Sequence, residues 1–145
     1  MHATIFALKR AYQATHKYIN DRLSDYELSS AQLDILIYLC GCEQLEQRRL
    51  ESVLGVTSAT MAKLLISMEK RGLIKRIPSL NDARVKDVMI SPKGKNLVDE
   101  IRHEQDVALT KQFFEGFSKT EMALLTEWLR RVAHNMGDTS ENIFD

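Results

Sequence analysis

Proline and glycine are scarce in this 145-residue chain, at 2 and 6 residues, so little interrupts helices and a mainly helical protein is expected. Cysteine is too rare for a disulfide scaffold. Cys40 and Cys42 lie two apart, a spacing that turns the thiols in divergent directions on a helix and disfavours a mutual bridge. No long apolar run is present: the longest, Ile35 to Cys40, is far short of the about 20 residues a membrane-spanning helix needs. The N-terminus lacks the charged start, apolar middle and cleavage site of a signal peptide, so a cytoplasmic, reducing setting is expected. His2, His16, His103 and His134 are scattered without ligand spacing, which predicts no metal site. Phosphate loops, nucleophile elbows and glycine-rich cofactor fingerprints are missing too, so neither an enzyme nor a cofactor is expected.

Net charge is also missing, because 20 basic and 20 acidic residues cancel. Their distribution is uneven. Between Thr57 and Lys95, the basic residues Lys63, Lys70, Arg71, Lys75, Arg76, Arg84, Lys86, Lys93 and Lys95 meet only Glu69, Asp82 and Asp87, a local excess of +6. The remainder, with 11 basic against 17 acidic residues, carries −6. A solvated face is the plain explanation of a charge run. An asymmetry this sharp favours a polyanion site.

With 44% apolar residues, the chain can bury a core as one unit without disulfides or metal. Periodicity predicts a long amphipathic helix over about 3–23, with Ile5, Leu8, Tyr12, Ile19 and Leu23 near one stripe. Ser29 and Gln32 form a capping box for a dense apolar helix that runs to Gly41. Arg48 to Leu54 reads as a short helix ending at Gly55, and Thr57 caps another that stops at Gly72. Leu73–Pro78 and Lys86–Ile90 read as strands around the turn residues Ser79, Leu80, Asn81 and Asp82. Ser91-Pro92 opens a long helix to about Phe114, and a second capping box, Ser118 with Glu121, opens the last. That helix should end near Met136–Gly137, with a frayed tail beyond.

Arg48 to Met68 therefore reads as a helix-turn-helix. Met61, Leu64, Leu65 and Met68 make the core stripe of its second helix. Ala59, Lys63, Ile66, Ser67 and Lys70 lie opposite, and Thr57, Ser58 and Thr60 join Ala59 in the first turn. Small residues let such a helix enter the major groove, hydroxyls donate to base edges, and methyls meet the thymine methyl. Its N-terminal N–H groups attract phosphate. A helical hairpin with a polar outer face is the competing explanation. The basic hairpin that follows tips the balance, because it forms a wing with Asp82-Ala83-Arg84 at its turn. A narrow, negative minor groove attracts an arginine so placed. Asp82 can hold the turn or brace that arginine, and the plain alternative is a surface ion pair worth under about 1 kcal/mol.

Four motifs then fall in order: Leu50-Glu51-Ser52-Val53-Leu54-Gly55-Val56-Thr57, Met68-Glu69-Lys70-Arg71-Gly72-Leu73-Ile74-Lys75-Arg76, Asp82-Ala83-Arg84 and Ser91-Pro92-Lys93-Gly94. Together they resemble the MarR regulators, over essentially the whole chain. The resemblance implies a mainly α fold with a small β-hairpin wing. It treats 1–145 as one unit, with a winged helix-turn-helix lobe at about 29–91 and a dimerisation lobe from about 1–23 and 92–137. It implies double-stranded DNA and a second copy of the chain as partners, on a pseudo-palindromic operator. Ser58, Ala59, Thr60, Lys63 and Ser67 would face the major groove, Arg84 would enter the minor groove with Asp82 in support, and Lys70, Arg76 and Lys86 would meet phosphates. The sequence departs from the pattern at Glu51, where alanine is usual, at the apolar Ile66, and at Ser91 in place of threonine.

The dimer has a basis in the residues as well. Ile101, Val107, Leu109, Phe113, Phe114, Leu124, Leu125, Trp128, Leu129 and Val132 exceed what one small winged lobe can cover, although packing within the chain could satisfy some of them. Family members often release DNA when a small aromatic or phenolic effector binds between lobes. Tyr12, His16 and Tyr38 suit such a ligand and are equally ordinary core-edge residues. Two other readings stay open: a winged protein-interaction module that never touches DNA, and a redox- or metal-sensing form of the same regulator using Cys40 or Cys42.

Overall fold

Local caps decide where this chain turns. The computed structural model describes residues 1–42 and 44–138, so the tail expected to fray lies largely outside the described residues. Helix α1 (Ala3–Leu23) opens on His2, whose Nδ1 accepts the Thr4 N–H at 3.2 Å. A 3-10 turn at Ser24–Tyr26 leads to α2 (Ser30–Cys40). There the expected box forms: Ser29 Oγ accepts the Gln32 N–H at 3.2 Å, and the Ser29 N–H donates to Gln32 Oε1 at 3.0 Å. Next come β1 (Leu45–Glu46), α3 (Gln47–Leu54), α4 (Ser58–Lys70), β2 (Ile74–Pro78), β3 (Lys86–Ile90), α5 (Pro92–Phe113) and α6 (Lys119–Asn135). Ser91 Oγ caps α5 through the Gly94 N–H, and Ser118 caps α6 in the second box.

The strands form an antiparallel three-stranded sheet in the order β1-β3-β2. The sequence predicts only the β2–β3 hairpin, and the structure adds β1, pairing Leu45 with Val88 and Glu46 with Asp87. A two-residue strand carries no readable period. A long-range bond holds it instead, because Gln44 Nε2 donates to Oδ2 of the buried Asp87 at 3.1 Å.

One core gathers beneath α2. Ile35, Leu36 and Leu39 pack there with Leu50 of α3, with Met61, Leu65 and Met68 of α4, and with Ile74, Val88, Val98 and Ile101. Each such burial contributes about 1.5–3 kcal/mol, which fixes α3 and α4 against α2. The stripe read on α4 is therefore the packed one, with Leu64 half-buried at its margin. Ile101 corrects an expectation: it is 4% exposed, closed off by its own chain rather than waiting for a partner.

Helices α1 and α6 behave differently. Leu23 is the one buried residue of α1, and none of the 17 residues of α6 is buried. With α5 they bound an apolar groove of about 520 Å³, lined among others by Leu8, Tyr12, Phe113, Leu125, Trp128 and Val132.

The join between the sheet and α5 is tight. Ser91 Oγ donates to the Gly72 carbonyl at 2.6 Å, and the Ser91 N–H donates to the Leu73 carbonyl at 3.0 Å. Ser91 thus makes the hydroxyl contact for which the family's threonine is equally suited. At the other end of the same turn, Arg71 donates to the carbonyls of Tyr26 at 2.9 Å and Glu27 at 2.5 Å, tying the end of α4 to the α1–α2 connection.

Candidate nucleic-acid interface

Helices α3 and α4 meet at 114°, within the range of helix-turn-helix pairs. Gly55 makes the turn with a left-handed φ of 63°. Thr57 caps α4, its Oγ1 accepting the Thr60 N–H at 3.2 Å. Because Met61, Leu65 and Met68 are fully buried, the opposite face of α4 must point outwards. Ala59, Lys63, Ile66, Ser67 and Lys70 are exposed there, and Ser58 and Thr60 are exposed in the first turn. Ile66, the apolar departure, is 54% exposed in the middle of that surface.

Two of these hydroxyls are engaged within the chain. The Thr57 and Thr60 oxygens lie 3.0 Å apart, so Thr60 belongs partly to the cap. Ser58 Oγ donates to Glu51 Oε2 at 2.8 Å, and Gln47 Nε2 donates to Glu51 Oε1 at 3.2 Å. Glu51 therefore does not wedge the helices apart. It bends outwards and bridges α3 to the first turn of α4, a role that its separation of seven residues from Ser58 conceals in the sequence.

The wing places its charges as its turn chemistry suggests. Asp82 Oδ1 accepts the Arg84 N–H at 3.0 Å, and the Arg84 guanidinium folds onto the same carboxylate at 3.2 and 3.3 Å. The Arg84 backbone N–H first, and its side chain second, hold the Asp82 carboxyl below the usual carboxylate range. Arg84 nonetheless keeps a side chain 91% exposed at the tip of the wing. Leu80, in the same turn, is 93% exposed. Lys86 is exposed at the start of β3.

Arg76 is less available than its sequence position suggests. Its Nε donates to Glu69 Oε2 at 2.8 Å, joining β2 to the last turn of α4. Arg76 in turn holds the Glu69 carboxyl below its ordinary range. That stabilisation is full above the ordinary carboxylate range and is lost as the pH falls through the depressed value. Glu69→Gln is therefore expected to flatten the acid limb of the thermal-stability profile while costing under about 1 kcal/mol at neutral pH, since the pair is partly exposed. Superimposable pH profiles for the two proteins would count against the pair.

The effector candidates are spread over α1 and α2. The rings of Tyr12 and His16 stand 5.8 Å apart on α1, and Tyr12 lines the apolar groove while His16 does not. His16 Nδ1 lies 2.9 Å from Asn20 Nδ2, and Tyr38 is half-buried on α2. Cys40 and Cys42 are free and half-buried, and burial pushes both thiols up, away from the thiolate that oxidation requires. Among the described residues no cluster of three His, Cys, Asp or Glu side chains could hold a metal ion, and no single helix is long and apolar enough to cross a membrane.

A helix pair crossed in this way, followed by a basic wing, defines a winged helix-turn-helix transcriptional regulator. A model of the MarR family matches residues 28–86. An uncharacterised HTH-type transcriptional regulator of Bacillus subtilis, YwaE, is 31% identical over 117 residues, covering 81% of this chain and 68% of its own. Among solved structures, a cysteine-to-serine mutant of MarR from E. coli complexed with operator DNA aligns with a TM-score of 0.79 at 21% identity, over 87% of this chain and 90% of that one. The regulator BldR from Sulfolobus solfataricus aligns at 0.82 with 23% identity, over 91% and 93% of the two chains. The chain belongs to the MarR family.

Proposed function

We propose that the chain acts as a homodimeric repressor on a pseudo-palindromic operator, with residues 29–91 as the reading lobe and the flanking helices as the dimerisation lobe. Helix α4 enters the major groove through Ser58, Ala59, Thr60, Lys63 and Ser67. Arg84 leaves Asp82 for the minor groove, while Lys70, Arg76 and Lys86 meet phosphates. Arg76 must share its guanidinium with Glu69 to do so. The observation that carries this reading is the exposed face of α4 together with an exposed arginine at the wing tip, on the segment from Thr57 to Lys95 with its +6 excess. The MarR structure complexed with operator DNA supports it by its similar fold. Repression follows by steric exclusion of polymerase. A small aromatic or phenolic effector near Tyr12, His16 and Tyr38 would release DNA by shifting the spacing of the two reading helices.

Binding to the chain's own upstream intergenic duplex, measured across a salt series, tests this. Wild type should bind tightly and weaken steeply with salt, and Arg84→Ala should cost about 1–3 kcal/mol, or roughly five- to 150-fold. Binding no tighter than to random duplex, or identical curves for both proteins, would move the assignment to a protein-interaction module.

A further inference from the structure

We infer that Glu51 is a specificity-determining residue, which withdraws the Ser58 proton so that this hydroxyl can only accept hydrogen bonds from the DNA. This rests on the reading lobe proposed above. A serine hydroxyl has one proton and two lone pairs, and an ionised carboxylate has no proton at all. In the 2.8 Å contact between them the proton must therefore be serine's. Gln47 grips the other carboxylate oxygen from one helical turn away, which keeps Glu51 turned towards α4. With alanine at 51, the Ser58 hydroxyl would rotate freely and donate to whatever it met. With Glu51 in place, its outward lone pairs and the neighbouring carboxylate only accept.

The major-groove groups that match acceptors are the amino groups, N4 of cytosine and N6 of adenine. Guanine O6 and N7 and thymine O4 are acceptors themselves and are repelled. The strand facing Ser58 should therefore carry cytosine or adenine at one position in each half-site. Glu51 also places a negative charge at a helix N-terminus that otherwise attracts phosphate. It should weaken binding to random duplex while sharpening the choice of base.

Selection from a randomised duplex library, sequenced for wild type, Glu51→Ala, Glu51→Gln and Ser58→Ala, tests the inference. The position that Ser58→Ala alters identifies the base it faces. At that position wild type should prefer cytosine or adenine, Glu51→Ala should lose at least about fivefold of that preference, and other positions should hold. Glu51→Gln keeps the size of the side chain and adds a donor, so guanine or thymine should become acceptable there. Glu51→Ala should also bind random duplex more tightly. An unchanged motif in Glu51→Ala, a uniform loss at every position, or a wild-type preference for guanine or thymine facing Ser58 would overturn the role of Glu51 while leaving DNA reading intact. A wild-type selection that enriches no motif would instead remove the reading lobe on which it rests.

Discussion

Gly94→Ala is expected to destabilise the protein by about 3 kcal/mol, because the added methyl has nowhere to go. A Cβ at this position would stand 2.3 Å from the Leu73 carbonyl oxygen and 2.9 Å from Ile90 Cγ1. The isoleucine tip can move. The carbonyl is backbone and is already pinned by the Ser91 N–H at 3.0 Å, so relief requires the start of α5 to lift from the sheet. Val98 and Ile101, buried one and two turns further along α5, would be pulled with it. Gly116→Ala is the matched control: Gly116 has a φ of 82° but nothing within 4 Å of its added Cβ, so only backbone strain of about 1 kcal/mol applies. Thermal melts should place Gly94→Ala roughly 5 °C or more below the control. Coincident melts would mean that the joint is looser than its distances state.

The second large effect lies on the uncovered helices. Trp128→Glu is expected to weaken self-association at least a hundredfold, about 3 kcal/mol, and operator binding with it. Trp128 is 54% exposed on a helix with no buried residue, among Leu124, Leu129 and Val132, each between 38% and 42% exposed. An apolar face of this kind normally meets a partner, and in the proposed dimer a charge there would be trapped without a counter-ion. Analytical ultracentrifugation should show a concentration-dependent dimer for wild type and a monomer for the variant. The variant's affinity for a single half-site should stay near that of wild type, while the gain from joining two half-sites about 34 Å apart disappears. A wild-type chain that sediments as a monomer at all concentrations, or a variant that dimerises unchanged, would sink the assignment of this face.

What was legible in the sequence were the bonds that close within a few residues. Ser29, Thr57, Ser91 and Ser118 each cap a helix through an N–H three positions on, and all four are found as read. Bonds between distant segments were not legible. Arg71 counted towards the basic excess, yet its guanidinium is committed to carbonyls 44 and 45 positions away. Lys93, counted likewise, donates to the Arg71 carbonyl at 2.8 Å. A charge tally sees the sign of a side chain and misses its partner. The same limit applies to Ser58, which the sequence places in the first turn of α4 but whose proton is already given to Glu51. Strand β1 escaped because a pair of residues has no pattern, and its place is set by Asp87 far along the chain.

That short strand has a consequence for how copies of the molecule meet one another. A hairpin projecting into solvent ordinarily exposes two rows of unsatisfied backbone groups, on which a second hairpin can build a continuous ladder. Here β1 occupies part of one flank of β3, and β2 occupies the other. The outer strand ends in Pro78, which has no N–H to offer, after the cationic pair Lys75 and Arg76. Neither rim of the sheet is both long and uncharged. At high local concentration, wings brought side by side lack a template for zipping together.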